Sequence, residues 1–421
     1  MKTTAIVLFI ATYVLLLSFP RWRAHIALTS ALTFVLLGIM PLADVWGAVD
    51  WNVILMIAGT MGIVALFIES KMPALLADLL IRRTPNVKWA IVALALFAGI
   101  ISAFVDNVAT VLMVAPVALS ISKKLKISPV TSIIAIAVSS NLQGAATLVG
   151  DATAILLGGH AGLDFLDFFF MDGKLGMFWV VQAGAIVSTM MLLWIIRKYS
   201  QQVNSQDMTE VRDYFPTYLL VGMVVLLILA SFIPNKPSVT NGFICVLLLA
   251  VGLVRKFMAT RDYRTAARVL SEIDFFTIAL LIGLFIVVGG ITEAGVVADI
   301  STLFSRVSDN VFVIYSLVLW GSVLISAFID NIPYVATMLP VVGGLASIMG
   351  IEPELLYFGL LAGATLGGNL TPIGASANIA ALGILKKDGY QVKATEFMKI
   401  GVPFTLAAVG TGYILIWLIW A

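Results

Sequence analysis

Apolar residues fill this chain in blocks of about 20, the length a helix needs to cross a bilayer. Polar residues lie between the blocks or at a few fixed points inside them. Residues 4–20, 26–46 and 50–69 predict three spans. Pro20 to His25 reads as a tight turn carrying Arg21 and Arg23, and 70–87 as a loop with Lys71, Arg82 and Arg83. The next apolar run extends from 88 to 122 and is interrupted by Asp106-Asn107. At about 1.5 Å per residue it is too long for one span. It predicts a re-entrant helical hairpin with its tip at 106–107. Residues 129–159 predict a broken helix: a helical piece from 129 to 141, an unwound polar stretch from Asn141 to Asp151, and a second piece. A span at 176–196 and a polar linker at 197–214 close this half.

The pattern then recurs. Spans are expected near 217–233, 238–254 and 274–292, then a hairpin with its tip at 330–331, a broken helix over 355–385 and a last span at 400–420. Ser102-Ala103-Phe104-Val105-Asp106-Asn107 returns as Ser326-Ala327-Phe328-Ile329-Asp330-Asn331, an offset of 224 (330 − 106). Asp50 and Asp274, Glu69 and Glu293, Thr147 and Thr371, and Gly150 and Gly374 fall at the same offset. Matches at one offset indicate an internal repeat, 1–210 and 211–421. Each half then makes five crossings plus one re-entrant hairpin. An odd number of crossings inverts the second half, a plan typical of secondary transporters. The fold expected is an all-α polytopic membrane protein of two inverted repeats, with a broken helix in each half.

Composition narrows the classes. The chain has 421 residues, 61% hydrophobic and 11% charged, which excludes a soluble enzyme or a nucleic-acid binder. Cys245 is the single cysteine, and His25 and His160 have no partner at ligand spacing, so neither a catalytic pair nor a metal site is expected. Charge orders the topology. Alternating sides from the turn at Arg21 leaves only Lys2, Lys174, Lys236 and Arg306, of 25 basic residues, on one side. The other side carries the rest, Lys126 and Arg212 included, and is the cytoplasm by the positive-inside rule. Both termini then lie outside a bacterial-type cytoplasmic (inner) membrane.

The candidate chemistry sits at the tips and breaks. Asp106 and Asp330 read as carboxylates at membrane depth that exchange a proton or hold a cation, because burying a carboxylate in lipid is costly. The alternative is a helix cap, which is compatible with that role. Asn107 and Asn331 offer amide groups to a cation or an oxygen-rich solute. The broken helices add Asn141, Gly144, Thr147 and Asp151 in one half, and Gly368, Asn369, Thr371 and Asn378 in the other. Free carbonyls, hydroxyls and helix N-termini there could bind a solute or ion. No basic residue is expected at that depth to offset the carboxylates.

With these residues in place, the chain resembles the ion transporter superfamily. It is most similar to the branch of arsenite efflux permeases (ArsB), NhaD-type sodium/proton antiporters and P-protein-like permeases. The resemblance rests on Ser-Ala-Phe-x-Asp-Asn, on Asn-x-x-Gly-x-x-Thr-Leu-x-Gly-Asp (141–151) and on Gly-Gly-Asn-x-Thr-Pro-Ile-Gly-Ala-Ser-Ala-Asn (367–378). It implies a secondary transporter without a cofactor that moves a small inorganic solute or ion, with a proton, or else sodium, as coupling ion. Proton-coupled efflux of arsenite or antimonite comes first, then sodium/proton antiport. Dicarboxylate-like anion transport ranks lower, because Asp-Asn replaces the Ser-Asn-Thr of the related dicarboxylate symporters at both tips. A soluble ATPase subunit is an implied partner. Monomer and homodimer both stay open.

Overall fold

The computed structural model describes residues 1–125, 127–202, 208–211 and 213–421. Lys126 and Arg212, assigned above to the basic side, lie outside the described residues. The chain is built of helices, since in lipid a helix satisfies its backbone within one segment. In chain order the first half holds α1 (Lys2–Ser18), α2 (Arg23–Leu36), α3 (Val45–Ala48), α4 (Trp51–Glu69) and α5 (Met72–Ile81). There follow α6 (Val87–Ser102), α7 (Asn107–Leu125), α8 (Val130–Gly144), α9 (Ala152–Ala161) and α10 (Met177–Ile195). The second half holds α11 (Phe215–Ser231), α12 (Thr240–Thr260), α13 (Tyr263–Ser271), α14 (Phe275–Glu293) and α15 (Val296–Ser305). It ends with α16 (Val311–Ser326), α17 (Asn331–Met349), α18 (Glu354–Gly367), α19 (Ser376–Lys387) and α20 (Ala394–Trp420). A small antiparallel pair, β1 (Phe170–Met171) and β2 (Lys174–Leu175), lies in the acidic loop before α10.

The expected all-helical architecture is borne out, and its elements repeat with their caps. Helices α4, α5 and α6 match α14, α15 and α16 in their bounds at an offset of 224. Asp50 accepts from the Val53 amide (3.1 Å), and Asp274 from the Thr277 amide (3.0 Å). Asn86 caps α6 through the Trp89 amide, and Asn310 caps α16 through that of Phe312. These side chains pair amides that a helix start leaves free.

Three expectations are corrected. Residues 70–87 are not a loop, because α5 occupies most of them. Its charges stand at the ends of an apolar segment, Lys71 before it and Arg82 and Arg83 after it, so they flank a helix. Lys71 and its repeat partner Gly295 both take left-handed backbone (φ 62° and 72°) to start α5 and α15. Next, α8 stays helical through Gly144, and a 3-10 turn carries Gly368 to Leu370 beyond α18, so Asn141, Gly144, Gly368 and Asn369 are not unwound. The irregular stretches are 145–151 and 371–375. Finally, the helix expected over 26–46 ends early, at Leu36. Helices α1 and α2 are short and bent 113° at the Pro20–Trp22 turn. Seven helices among the described residues, α4, α7, α10, α12, α14, α17 and α20, are long and apolar enough to cross a membrane alone.

The halves interlock by exchange: α4 packs on α12, and α14 on α2. Glycines set both contacts. A Cβ on Gly59 would sit 2.6 Å from the Cys245 carbonyl carbon, and one on its repeat partner Gly283 2.6 Å from that of Ala27. Small residues at such crossings let backbones approach closely. Gly59→Ala and Gly283→Ala should each destabilise the protein by about 1–3 kcal/mol, the cost of overpacking. A lower melting temperature of the purified variants would register it. Inside this frame, α6 packs on α8 and α16 on α18, while α7 touches α19 and α17 touches α9. The two hairpin tips and the two helix breaks therefore meet at the centre.

Candidate functional site

Each tip is fixed by its own sequence. Asp106 accepts from the Val108 and Ala109 amides (3.0 and 3.1 Å), capping α7. Asp330 accepts from the Ile332 amide (3.1 Å), capping α17. The Thr147 hydroxyl donates to the Ala103 carbonyl, and the Thr371 hydroxyl to the Ala327 carbonyl. Both pairs again stand 224 residues apart, so each break is tied to the hairpin of its own half. A Cβ on Gly150 would lie 2.6 Å from the Gly144 carbonyl oxygen, and one on Gly374 2.6 Å from that of Gly368. Thr147, Thr371, Gly144 and Gly368 therefore build the breaks.

Four candidate asparagines from both halves form one buried cluster. The Asn107 amide donates to the Asn141 carbonyl oxygen (2.8 Å). The Asn141 amide donates to those of Asn369 (2.7 Å) and Asn378 (3.0 Å). Asn369 donates on to the Val138 carbonyl, and Asn378 to those of Gly368 and Thr371. Asn141 is the hub. A second cluster surrounds Asp151, which accepts from the Ala152 amide (2.7 Å), the Thr153 hydroxyl (3.0 Å) and the Asn331 amide (3.1 Å). Thr153 also pairs with Thr365 at 2.9 Å. Asp151 is thus more than an N-cap, since it binds the tip of the other half's hairpin.

A cavity of about 450 Å³ opens onto these groups. Asp106, Asn107, Asp151 and Asn331 line its inner wall, and Glu69, Arg268, Glu272 and Asp274 line it toward the surface. Asp151 lies within electrostatic reach of Asp106 and Asp330, and Asp106 of Asp274. Arg268 is the one basic residue among the described residues lining this space. The cavity opens at the end that carries Lys71, Arg255 and Arg264, beside the surface ion pair of Lys256 with Glu69. A second cavity, about 880 Å³, opens at the other end. Asp50, Phe285, Val288 and Glu293 line it, the repeat partners of Asp274, Met61, Val64 and Glu69 in the first. It reaches Leu339 and Pro340 of α17, but neither tip aspartate lines it.

Asp330 departs from expectation. Its second carboxylate oxygen lies 2.6 Å from an Arg23 guanidinium nitrogen, with both side chains largely buried (13% and 23% exposed). The expectation of no basic residue at that depth is therefore corrected. The expected turn carries Arg23 inward rather than along the surface, because the bend between α1 and α2 brings it against the second hairpin. Sequence pattern also missed Thr153, Thr365, Arg268 and Glu272 as neighbours of the site. No local signal marks them, and the repeat offset marked Asp274 without its location.

A family described as CitMHS, citrate transporter, matches residues 13–363. The chain belongs to this family. It is a multi-pass membrane transporter of the ion transporter superfamily. The transporter Rv2684 of Mycobacterium tuberculosis is 33% identical over 99% of this chain and 98% of its own length. The 46 kDa membrane protein of Mycobacterium leprae is 31% identical over 99% of each. The human P protein is 25% identical over 87% of this chain and 54% of that protein. Among solved structures, the YdaH transporter of Alcanivorax borkumensis superposes with a TM-score of 0.62 at 14% identity, covering 94% of this chain and 96% of that one. Neisseria gonorrhoeae MtrF superposes with a TM-score of 0.56 at 15% identity, covering 96% and 83%. At these identities the structural likeness concerns the fold alone.

Proposed function

We propose that this protein is a proton-coupled secondary transporter that exports a small neutral oxygen-bearing solute, arsenite or antimonite, across the cytoplasmic membrane by alternating access. The units 1–210 and 211–421 act as inverted repeats, the basic end faces the cytoplasm and both termini lie outside. The observation that carries the reading is the acidic cavity: Asp106 and Asp151 face it together, and among the described residues its one lining cation is Arg268. Fixed carboxylates repel a polyanion and favour a proton, a cation or a neutral solute. Arsenous acid presents hydroxyls that Asp106, Asn107 and Asn331 can bond. Proton binding at the carboxylates would compete with the solute and give exchange. The cavity at the opposite end, lined by repeat partners of the first, supports an alternation in which the halves trade conformations. In this state the cavity on the basic side reaches the tips.

Citrate transport is the second reading, favoured by the family match. An acidic cavity suits that anion poorly unless a cation accompanies it. Thermal melting of the purified protein with each candidate distinguishes them, because a ligand bound to the folded state stabilises it by about 2.7 kcal/mol at a hundredfold its dissociation constant. The expected result is a rise in melting temperature with arsenite or antimonite. A shift with citrate alone would favour the second reading. A shift with sodium or lithium that grows with pH would point to cation antiport.

A further inference from the structure

We infer that Arg23 is a built-in counter-ion at the second hairpin tip, so that of the two tips the first is the one that exchanges a cation. This rests on the reading of Asp106 and Asp151 as the coupling carboxylates.

The repeat supplies its own control. Both tips carry Ser-Ala-Phe-x-Asp-Asn, and both aspartates cap the following helix through one oxygen. The other oxygens differ. That of Asp330 lies 2.6 Å from Arg23, while Asp106 lines the acidic cavity without a described ion pair. The groups facing Asp330 are Arg23 at the start of α2, Ser376 of α19 at 3.5 Å, and Asp151 at the start of α9. Arg23 is the only cation among these described groups. The neighbouring cavity is lined by Asn331, Ile332 and Ser376 beside the tip, with Arg268, Glu272 and Asp274 on its surface side.

Its chemistry suits the role. A guanidinium stays protonated at any working pH, whereas a lysine placed out of water readily gives up its proton. It also makes a strong charge-assisted bond to a carboxylate. With most of both side chains out of water, the pair is weakly screened. Adding a proton to Asp330 would strand the guanidinium, and removing one partner of a buried pair leaves an uncompensated charge. Adding a proton to Asp106 strands nothing. Arg23 belongs to the first half and Asp330 to the second, so the pair also makes two otherwise equivalent tips unequal.

Infrared difference spectra of the purified protein between mildly acidic and mildly alkaline pH read carboxyl protonation without any cargo. Arg23→Gln should add a carboxylic-acid carbonyl band, and Asp330→Asn in that background should remove it. The double variant should then match the wild type. No new band in a folded Arg23→Gln protein would overturn the inference. If that variant does not fold, the double variant decides: a band lost relative to the wild type means Asp330 already exchanged protons, which also overturns it. A wild-type signal untouched by Asp106→Asn and Asp151→Asn would count against the proposed coupling residues, while the Arg23 comparison would still stand or fall on its own bands.

Discussion

Asp106→Asn should fold and insert like the wild type yet lose proton-driven transport by on the order of 100-fold, the loss expected when a proton-transferring group is removed. The substitution separates the two roles of this residue. Asparagine is nearly isosteric and caps a helix about as well as aspartate. Its carbonyl oxygen can keep both bonds to the Val108 and Ala109 amides. The melting temperature should therefore move little. What disappears is the ability to take up and release a proton beside the cavity. Asp151→Asn is a harsher change, because donors meet both of its oxygens: an amide nitrogen would face either the Ala152 amide or the Thr153 hydroxyl and the Asn331 amide. The check is solute flux into proteoliposomes under an imposed pH gradient, using whichever solute shifts the melting temperature. Normal flux with both aspartates replaced would end the carboxylate reading.

The parts of this molecule that were legible in sequence are those set by local chemistry. Apolar blocks gave most of the helices, because a lipid-exposed backbone has so few alternatives. Asp106 and Asp330 marked the hairpin tips, and glycines and threonines marked the breaks, since each acts on its own few residues. The repeat offset placed equivalent parts without knowledge of packing. Three-dimensional choices stayed hidden. Nothing near Arg23 says that its turn folds inward to meet Asp330, which lies 307 residues away. The apolar stretch of α5 was obscured by the charges at its ends. The asparagines were recognisable as polar groups at depth, but their mutual bonds depend on the two halves interleaving. That also changes their meaning: in this state Asn141, Asn369 and Asn378 satisfy one another.

Asn141→Ala should be the most destabilising of these substitutions, so that little folded protein is recovered. The Asn141 side chain holds three of its neighbours at once, accepting from Asn107 and donating to Asn369 and Asn378. Alanine would remove all three bonds in a place closed to water, where Asn141 is fully buried. Each buried polar group left without a partner costs about 1–3 kcal/mol. The Asn107 amide and the carbonyl oxygens of Asn369 and Asn378 would all be stranded, since alanine leaves a small void without supplying a bond. The sum approaches the whole stability of an ordinary folded domain, about 5–15 kcal/mol. Asn141→Asp is the informative companion. It keeps an acceptor for Asn107 but turns both donor contacts into oxygen facing oxygen, and it adds a charge. Size-exclusion profiles of detergent extracts would show both variants aggregated or absent while Asp106→Asn elutes as the wild type does. If Asn141→Ala instead melted within a few degrees of the wild type, the cluster would not be the joint between the halves. The asparagines would then be open to bind a solute or ion directly, and transport by that variant would become the quantity to measure.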